Sequence, residues 1–214
     1  MNKTILTIVV CAGVASVATA GDAIASFTYS DLLGSYDTGT NIYRAVAGGQ
    51  SSGDVPRLDM LGGSAEFDSG FFGGGAANYE LELIVGNIQA GTASGNGSLI
   101  ITDDNGDTLT AAVNGQFRVF GGSVSYEGFL DNVFFNDISG DGTFDGSTSG
   151  SFSTSFPAQP PFNGSVLNLF FDPGSFFGTG FDGQTTLSSG LIVPAPAALA
   201  AFAGLGLAGA RRRR

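Results

Sequence analysis

Between Tyr79 and Val85 apolar and acidic residues alternate without interruption. Tyr79, Leu81, Leu83 and Val85 fall on one face, and Glu80 and Glu82 on the other. A period of two is that of a β-strand with one face buried. The same grammar continues downstream. Ser98 to Thr102 precedes Asp103-Asp104-Asn105-Gly106, and Asp107 to Val113 follows, with Leu109, Ala111 and Val113 in phase. Asn-Gly between two such runs is the strongest short hairpin signal. Asn114-Gly115 and Gly121-Gly122 read as two further turns, leading into Gln116 to Phe120 and Ser123 to Phe129. Residues 98–129 are therefore expected to form a four-strand antiparallel meander.

Phe27 to Tyr29 predicts an earlier strand, and Val133 to Asn136, Ser165 to Phe171 and Gln184 to Val193 predict later ones. Leu33 to Ser69 is looser, and Gly70 to Gly75 reads as a loop or bulge. Ser151 to Gly164, with Pro157, Pro160 and Pro161, reads as a crossing loop. No stretch of the body holds a 3.6-residue period, and no fixed-period repeat points to a solenoid or propeller. Strands about ten residues apart predict an all-β antiparallel domain, a β-sandwich or jelly roll. The 35 glycines and 19 phenylalanines agree, since disordered linkers are poor in aromatics.

The two ends have a different character. Lys3 precedes an apolar run from Ile5 to Val17, and Ala18-Thr19-Ala20 supplies a small-x-small cleavage site. Residues 1–20 thus read as a secretory signal peptide, processed by signal peptidase. Cys11, the only cysteine, follows Val10 and not the small residue of a lipoprotein site. Residues 193–214 contain Pro194-Ala195-Pro196, an apolar run from Ala197 to Ala210, and Arg211, Arg212, Arg213 and Arg214. A helix over 197–210 is about 21 Å long, short of the roughly 30 Å hydrocarbon core. A terminal arginine cluster keeps its end cytoplasmic, which leaves the preceding body outside.

This order of Pro-x-Pro, short apolar helix and arginine cluster resembles the PEP-CTERM sorting region of exported bacterial proteins. Ala195 stands where that family most often has Glu. The resemblance covers the tail alone. It implies processing by an exosortase-like enzyme near Pro194 and Pro196, transient anchoring in the inner membrane, and a place at the cell surface or in an exopolysaccharide matrix. An ordinary single-span C-terminal anchor is the alternative.

Residues 21–192 then form the functional body. All 19 acidic residues lie in it, against Arg44, Arg57 and Arg118 as its only basic ones, a net charge of −16. Nucleic acid and anionic lipid surfaces are poor partners for such a surface, and divalent cations and neutral or cation-bridged polymers are better ones. The absence of histidine excludes Ser–His and Cys–His hydrolysis and histidine-bound zinc or iron. Catalysis by paired carboxylates remains open to the composition. Glu80 with Glu82, and Glu127 with Asp131, are candidate pairs. Nothing in the sequence converges either on a cleft, and the body is read as non-enzymatic.

The strongest candidate site is Asp137-Ile138-Ser139-Gly140-Asp141-Gly142-Thr143-Phe144-Asp145-Gly146. Asp137, Ser139 and Asp141 alternate, Gly142 permits the sharp turn, and Asp145 falls at the ninth position. This is the oxygen spacing of EF-hand and dockerin-type calcium loops. The twelfth position holds Thr148, so the bidentate acid is missing. A polar Asp/Gly turn accounts for the same residues. Asp103, Asn105 and Asp107 form a second alternating trio, whose position suits a hairpin turn. The resulting expectation is an exported structural or adhesive protein, with a secreted carbohydrate-binding module or a glycosidase as alternatives. Calcium is the one cofactor the residues suggest.

Overall fold

The computed structural model describes residues 22–59, 62–68, 78–120, 123–171 and 178–195. They form an all-β body. Its strands are β1 (Ala25–Asp37), β2 (Ile42–Val46), β3 (Ser52–Pro56), β4 (Ser64–Phe67), β5 (Asn78–Gln89) and β6 (Thr92–Thr102). They continue with β7 (Thr108–Phe120), β8 (Ser123–Asn136), β9 (Thr143–Asp145), β10 (Ser151–Ser153), β11 (Phe162–Phe171) and β12 (Phe181–Pro194). No helix occurs among the described residues.

The large sheet runs β12-β11-β8-β7-β6-β5-β2-β1-β3-β4, and β12 also pairs with β1. That pairing extends from Ala25↔Ile192 to Tyr36↔Phe181. Eight antiparallel strands therefore close into a ring, β1-β2-β5-β6-β7-β8-β11-β12. This is an up-and-down order and not the double Greek key of a jelly roll. A sandwich's facing walls persist across the core, but hydrogen bonding continues round from one wall to the other. Closure leaves these strands no open edge. Along β1 the far edge is shared. Residues 33–37 pair with β2 and residues 28–30 with β3. Asp31, at φ 55°, lies in the register shift that allows the change of partner. The β3–β4 hairpin leaves the ring there.

Alternation decides which side chains enter the ring. On β5, Tyr79, Leu81, Leu83 and Val85 are buried, while Glu80, Glu82 and Ile84 turn outward. Apolar-in and polar-out is the reverse of a membrane-spanning barrel. Rings meet inside the ring of strands: Tyr29 with Tyr79 at 4.8 Å, Tyr43 with Phe117 at 5.4 Å, and the cross-strand neighbours Phe117 and Tyr126 at 4.7 Å between centroids. Eight strands leave an interior that side chains can fill. Tyr79 and Tyr126 keep their hydroxyls satisfied there. Tyr79 Oη lies 2.6 Å from Ser188 Oγ, and Tyr126 donates to the Gly95 carbonyl at 2.9 Å.

One row of the ring is mostly glycine. Gly95 pairs with Gly115, Gly115 with Gly128, Gly128 with Val166, Val166 with Gly190, and Gly190 with Phe27. A Cβ on Gly128 would lie 2.7 Å from the Tyr126 ring. One on Gly95 would lie 2.6 Å from Phe117 and 2.8 Å from Tyr126, and one on Gly190 would run into Phe27. These glycines let the backbone rest directly on aromatic faces. They also explain a departure from expectation. Asn114-Gly115 is not a turn but the middle of β7, so residues 98–129 hold three strands and not four. Gly115 is required because a Cβ there would meet the β8 backbone at Glu127 and Gly128, with the Tyr126 ring next, and this tertiary demand overrides the local turn signal. Val133 to Asn136 likewise continues β8, past a bulge at Asn132 with φ 54°. The Asp103–Gly106 turn is found where expected, with Thr102 pairing Thr108 across it. Gly121-Gly122 and Gly70 to Gly75 lie outside the described residues, although Phe120 pairs with Ser123.

The β9–β10 hairpin closes one end of the ring with aromatic contacts. Phe144 lies 5.5 Å from Phe152 and 5.8 Å from Phe135, and Phe156 lies 4.9 Å from Phe135 and 5.4 Å from Phe162. Part of the expected 151–164 loop is thus strand β10. Arg57 pins this segment. Its buried guanidinium donates to the Ser155 carbonyl at 2.9 Å and to Asp59 Oδ2 at 2.7 Å, bonds the Ser153 carbonyl, and stacks 4.5 Å above the Phe156 ring.

Candidate functional site

The capping hairpin determines where the acidic loop goes. The turn after β8 and the turn between β6 and β7 start from neighbouring positions, because Thr108 pairs with Asn136. With β9 packed over the end of the ring, the two acidic segments dock on each other. The sequence presented them as separate trios.

Most of the contacts are carboxylate to amide. Asp107 Oδ1 accepts from the Ile138 and Ser139 N–H groups, both at 2.6 Å, and its Oδ2 accepts from Ser139 Oγ at 3.0 Å. Asp103 Oδ1 accepts from Asn105 N at 2.9 Å and Asp107 N at 2.8 Å, and its Oδ2 accepts from Asp145 N at 2.8 Å. Asp137 folds back on its own loop, accepting from Gly140 N at 2.8 Å and Gly142 N at 3.1 Å. Asn105 Nδ2 bridges Asp141 Oδ2 at 3.0 Å and Asp145 Oδ2 at 2.8 Å.

Asp107, Asp137 and Asp141 can each offer one oxygen with all three within 4.8 Å of one another. Two oxygens bound to one calcium ion at about 2.4 Å are at most about 4.8 Å apart. The set is all oxygen, as a hard cation requires. Asp107 and Asp103 are buried, whereas Asp137 and Asp141 are exposed. The centre is therefore anchored on one side and open to solvent on the other. Asp107 joins the group although its spacing suited a plain hairpin. Only the docking of two turns separated in sequence brings it in. Of the expected loop residues, Ser139 bonds Asp107, and the Asp145 carboxylate turns to Asn105 and to Thr143 Oγ1 at 2.8 Å.

Electrostatics differ across the cluster. Burial pushes the Asp103 carboxyl above its ordinary value, against three backbone N–H groups that pull it down. The Thr143 backbone N–H, aided by its hydroxyl, holds Asp141 below its ordinary value. No described arginine neutralises the centre: Arg44 pairs with Glu82 at 2.6 Å, Arg57 with Asp59, and Arg118 lies on the outer wall.

The remaining candidates are dispersed. Glu80 and Glu82 share the outer face of β5, with Glu82 tied to Arg44. Glu127 faces outward on β8, and Asp131 accepts from Asn114 Nδ2 at 3.2 Å. Among the sorting residues, Pro194 ends β12. Pro196, Arg211 to Arg214, Ala18 and Ala20 lie outside the described residues. Among the described residues no helix is long and apolar enough to cross a membrane. The chain matches no family model, no curated protein and no solved structure.

Proposed function

We propose that this chain is exported and sorted to the cell surface or extracellular matrix, where its barrel has a structural and adhesive role and calcium joins its two acidic turns. The observation that carries the calcium part is the convergence of Asp107, Asp137 and Asp141 from two separate turns. The address rests on the terminal segments, namely a signal peptide over 1–20 and a sorting tail over 193–214. Signal peptidase and an exosortase-like enzyme are the processing partners, exopolysaccharide is the matrix partner, and the membrane is engaged through the C-terminal helix before processing. A body of net charge −16 fits cation-bridged polymers and disfavours nucleic acid.

Calcium titration against thermal unfolding tests the centre. Extracellular calcium modules bind at about 10⁻⁴–10⁻³ M. Ion at ten times Kd stabilises by about 1.4 kcal/mol, a rise of about 3–6 °C for a domain of this size. Asp107→Asn is expected to abolish the rise. No calcium-specific shift in the wild-type chain would refute the centre. Mass spectrometry of the mature C-terminus, with cell fractionation, tests the address. A C-terminus near Pro196 on surface or secreted protein supports sorting. Intact Arg211 to Arg214 in the membrane fraction refutes it.

A further inference from the structure

We infer that the outer wall across β7, β8, β11, β12 and β1 is a binding groove for a neutral polysaccharide chain, a reading that specifies, and rests on, the matrix role proposed above. The groove encloses about 920 Å³ and is lined by residues of all five strands. At about 4.8 Å between neighbouring strands it spans about 19 Å, the scale of an oligosaccharide segment and not of a single sugar.

Its floor is the glycine row seen from outside. Gly115, Gly128 and Gly190 line it, and these are positions where the backbone lies against Tyr126 and Phe27 within the ring. The sheet thus rests on the core where the outer surface is concave. Above the floor stand Ser26, Thr28, Asn114, Gln116, Ser165 and Ser189. Except for Asn114, these side chains make no hydrogen bond with another described residue, so their hydroxyls and amide are available to a ligand. Phe129 rises among them at 72% exposure, on β8 between its partners Asn114 and Ser165. An aromatic face with hydroxyl and amide groups around it suits a pyranose, which presents C–H faces and equatorial hydroxyls.

Charge selects among polymers. The only charged residues among the described lining are Arg118 and Glu127, which cancel. The groove is a neutral strip on a body of net charge −16. A polyanionic chain meets repulsion on every approach to it, whereas a neutral chain does not. A protein partner fits less well. Among the described side chains that line the groove, Phe129 and Leu191 are the only large apolar ones exposed, which falls short of the apolar centre of a stable protein interface.

Affinity electrophoresis of the full chain through gels holding mixed-linkage β-glucan, galactomannan or dextran tests this, with alginate as the polyanionic control. Retardation by at least one neutral polymer and none by alginate is expected. Phe129→Ala, which removes an exposed ring, and Ser165→Trp, which fills the groove, are each expected to weaken retention at least tenfold. Ser98→Trp, exposed on β6 outside the groove, is expected to leave it unchanged. Circular dichroism and melting curves establish that each variant is folded. Folded wild-type chain that no neutral polymer retards overturns the inference. So does retention unchanged by both groove variants, or a Phe129→Ala effect on self-association alone. These readouts are separate from C-terminal processing and calcium stabilisation, so the groove and the proposed function can fail independently.

Discussion

Gly128→Ala is the sharpest test of the packing. The three atoms nearest a Cβ at Gly128 all belong to Tyr126, at 2.7, 2.8 and 2.9 Å. The ring cannot swing away, because it lies 4.7 Å from Phe117 and its hydroxyl holds the Gly95 carbonyl. Overpacking of this kind costs about 1–3 kcal/mol. Alanine returns about 0.4–1 kcal/mol by restricting the unfolded chain. The net loss is about 1–2 kcal/mol, a fall of about 2–8 °C in Tm. A double-mutant cycle with Tyr126→Leu identifies the cause. If the ring is the obstacle, the two changes couple favourably by about 0.5–3 kcal/mol. Gly115→Ala is the contrasting case. Its Cβ would meet the Glu127 carbonyl, and the Gly128 Cα at 2.5 Å, before the Tyr126 ring. Backbone cannot be trimmed, so Gly115→Ala is expected to add nearly independently to Tyr126→Leu. Urea unfolding of the three single and two double variants and wild type measures all of this. A Gly128→Ala protein within about 0.5 kcal/mol of wild type, or a cycle with no coupling, would refute the picture of sheet resting on ring.

Burial raises the phenol pKa of Tyr29, Tyr43, Tyr79 and Tyr126 well above the ordinary 10. A raised folded pKa contributes stability that is complete below the unfolded value and lost as pH climbs through the folded one. Above about pH 10 the domain is therefore expected to weaken, with tyrosinate absorbance from these four rings appearing together with loss of circular dichroism; free titration of the folded chain near pH 10 would contradict it. Arg57→Ala removes a buried cation from Asp59, from two carbonyls and from the Phe156 face. A loss of about 3–5 kcal/mol is expected, with early proteolytic cleavage in residues 143–156.

What was legible in the sequence was local. β5 declares itself because its alternation matches its burial residue by residue, and the Asp103–Gly106 turn because hairpin chemistry and tertiary need agree there. Asn114-Gly115 misleads because the same dipeptide that favours a turn also suits a strand pressed on a ring. Ring closure depends on β1 meeting β12 from opposite ends of the body, and no window of neighbouring residues encodes that. Asp107 was hidden for the same reason: its partners lie about thirty residues on, and only the β9–β10 cap brings them back. The looser stretch from Leu33 to Ser69 holds most of β1 to β4, whose short strands, bulge and shared edge blur any period.

The pairing of first and last strands also decides which way the molecule points. Ala25 sits opposite Ile192, and Phe162 opposite Pro194. Thr102, Thr108 and Asn136 end or begin their strands at that same pole. Chain continuing beyond Pro194 therefore departs from the pole that carries the acidic turns. If the proposed tail tethers the molecule to a membrane, that pole would face the lipid headgroups, with dissolved cation as the cushion between it and an anionic surface. If the tether were then cut, the same pole would turn to open medium. The flank of the barrel, where the glycine row runs, is accessible in both states.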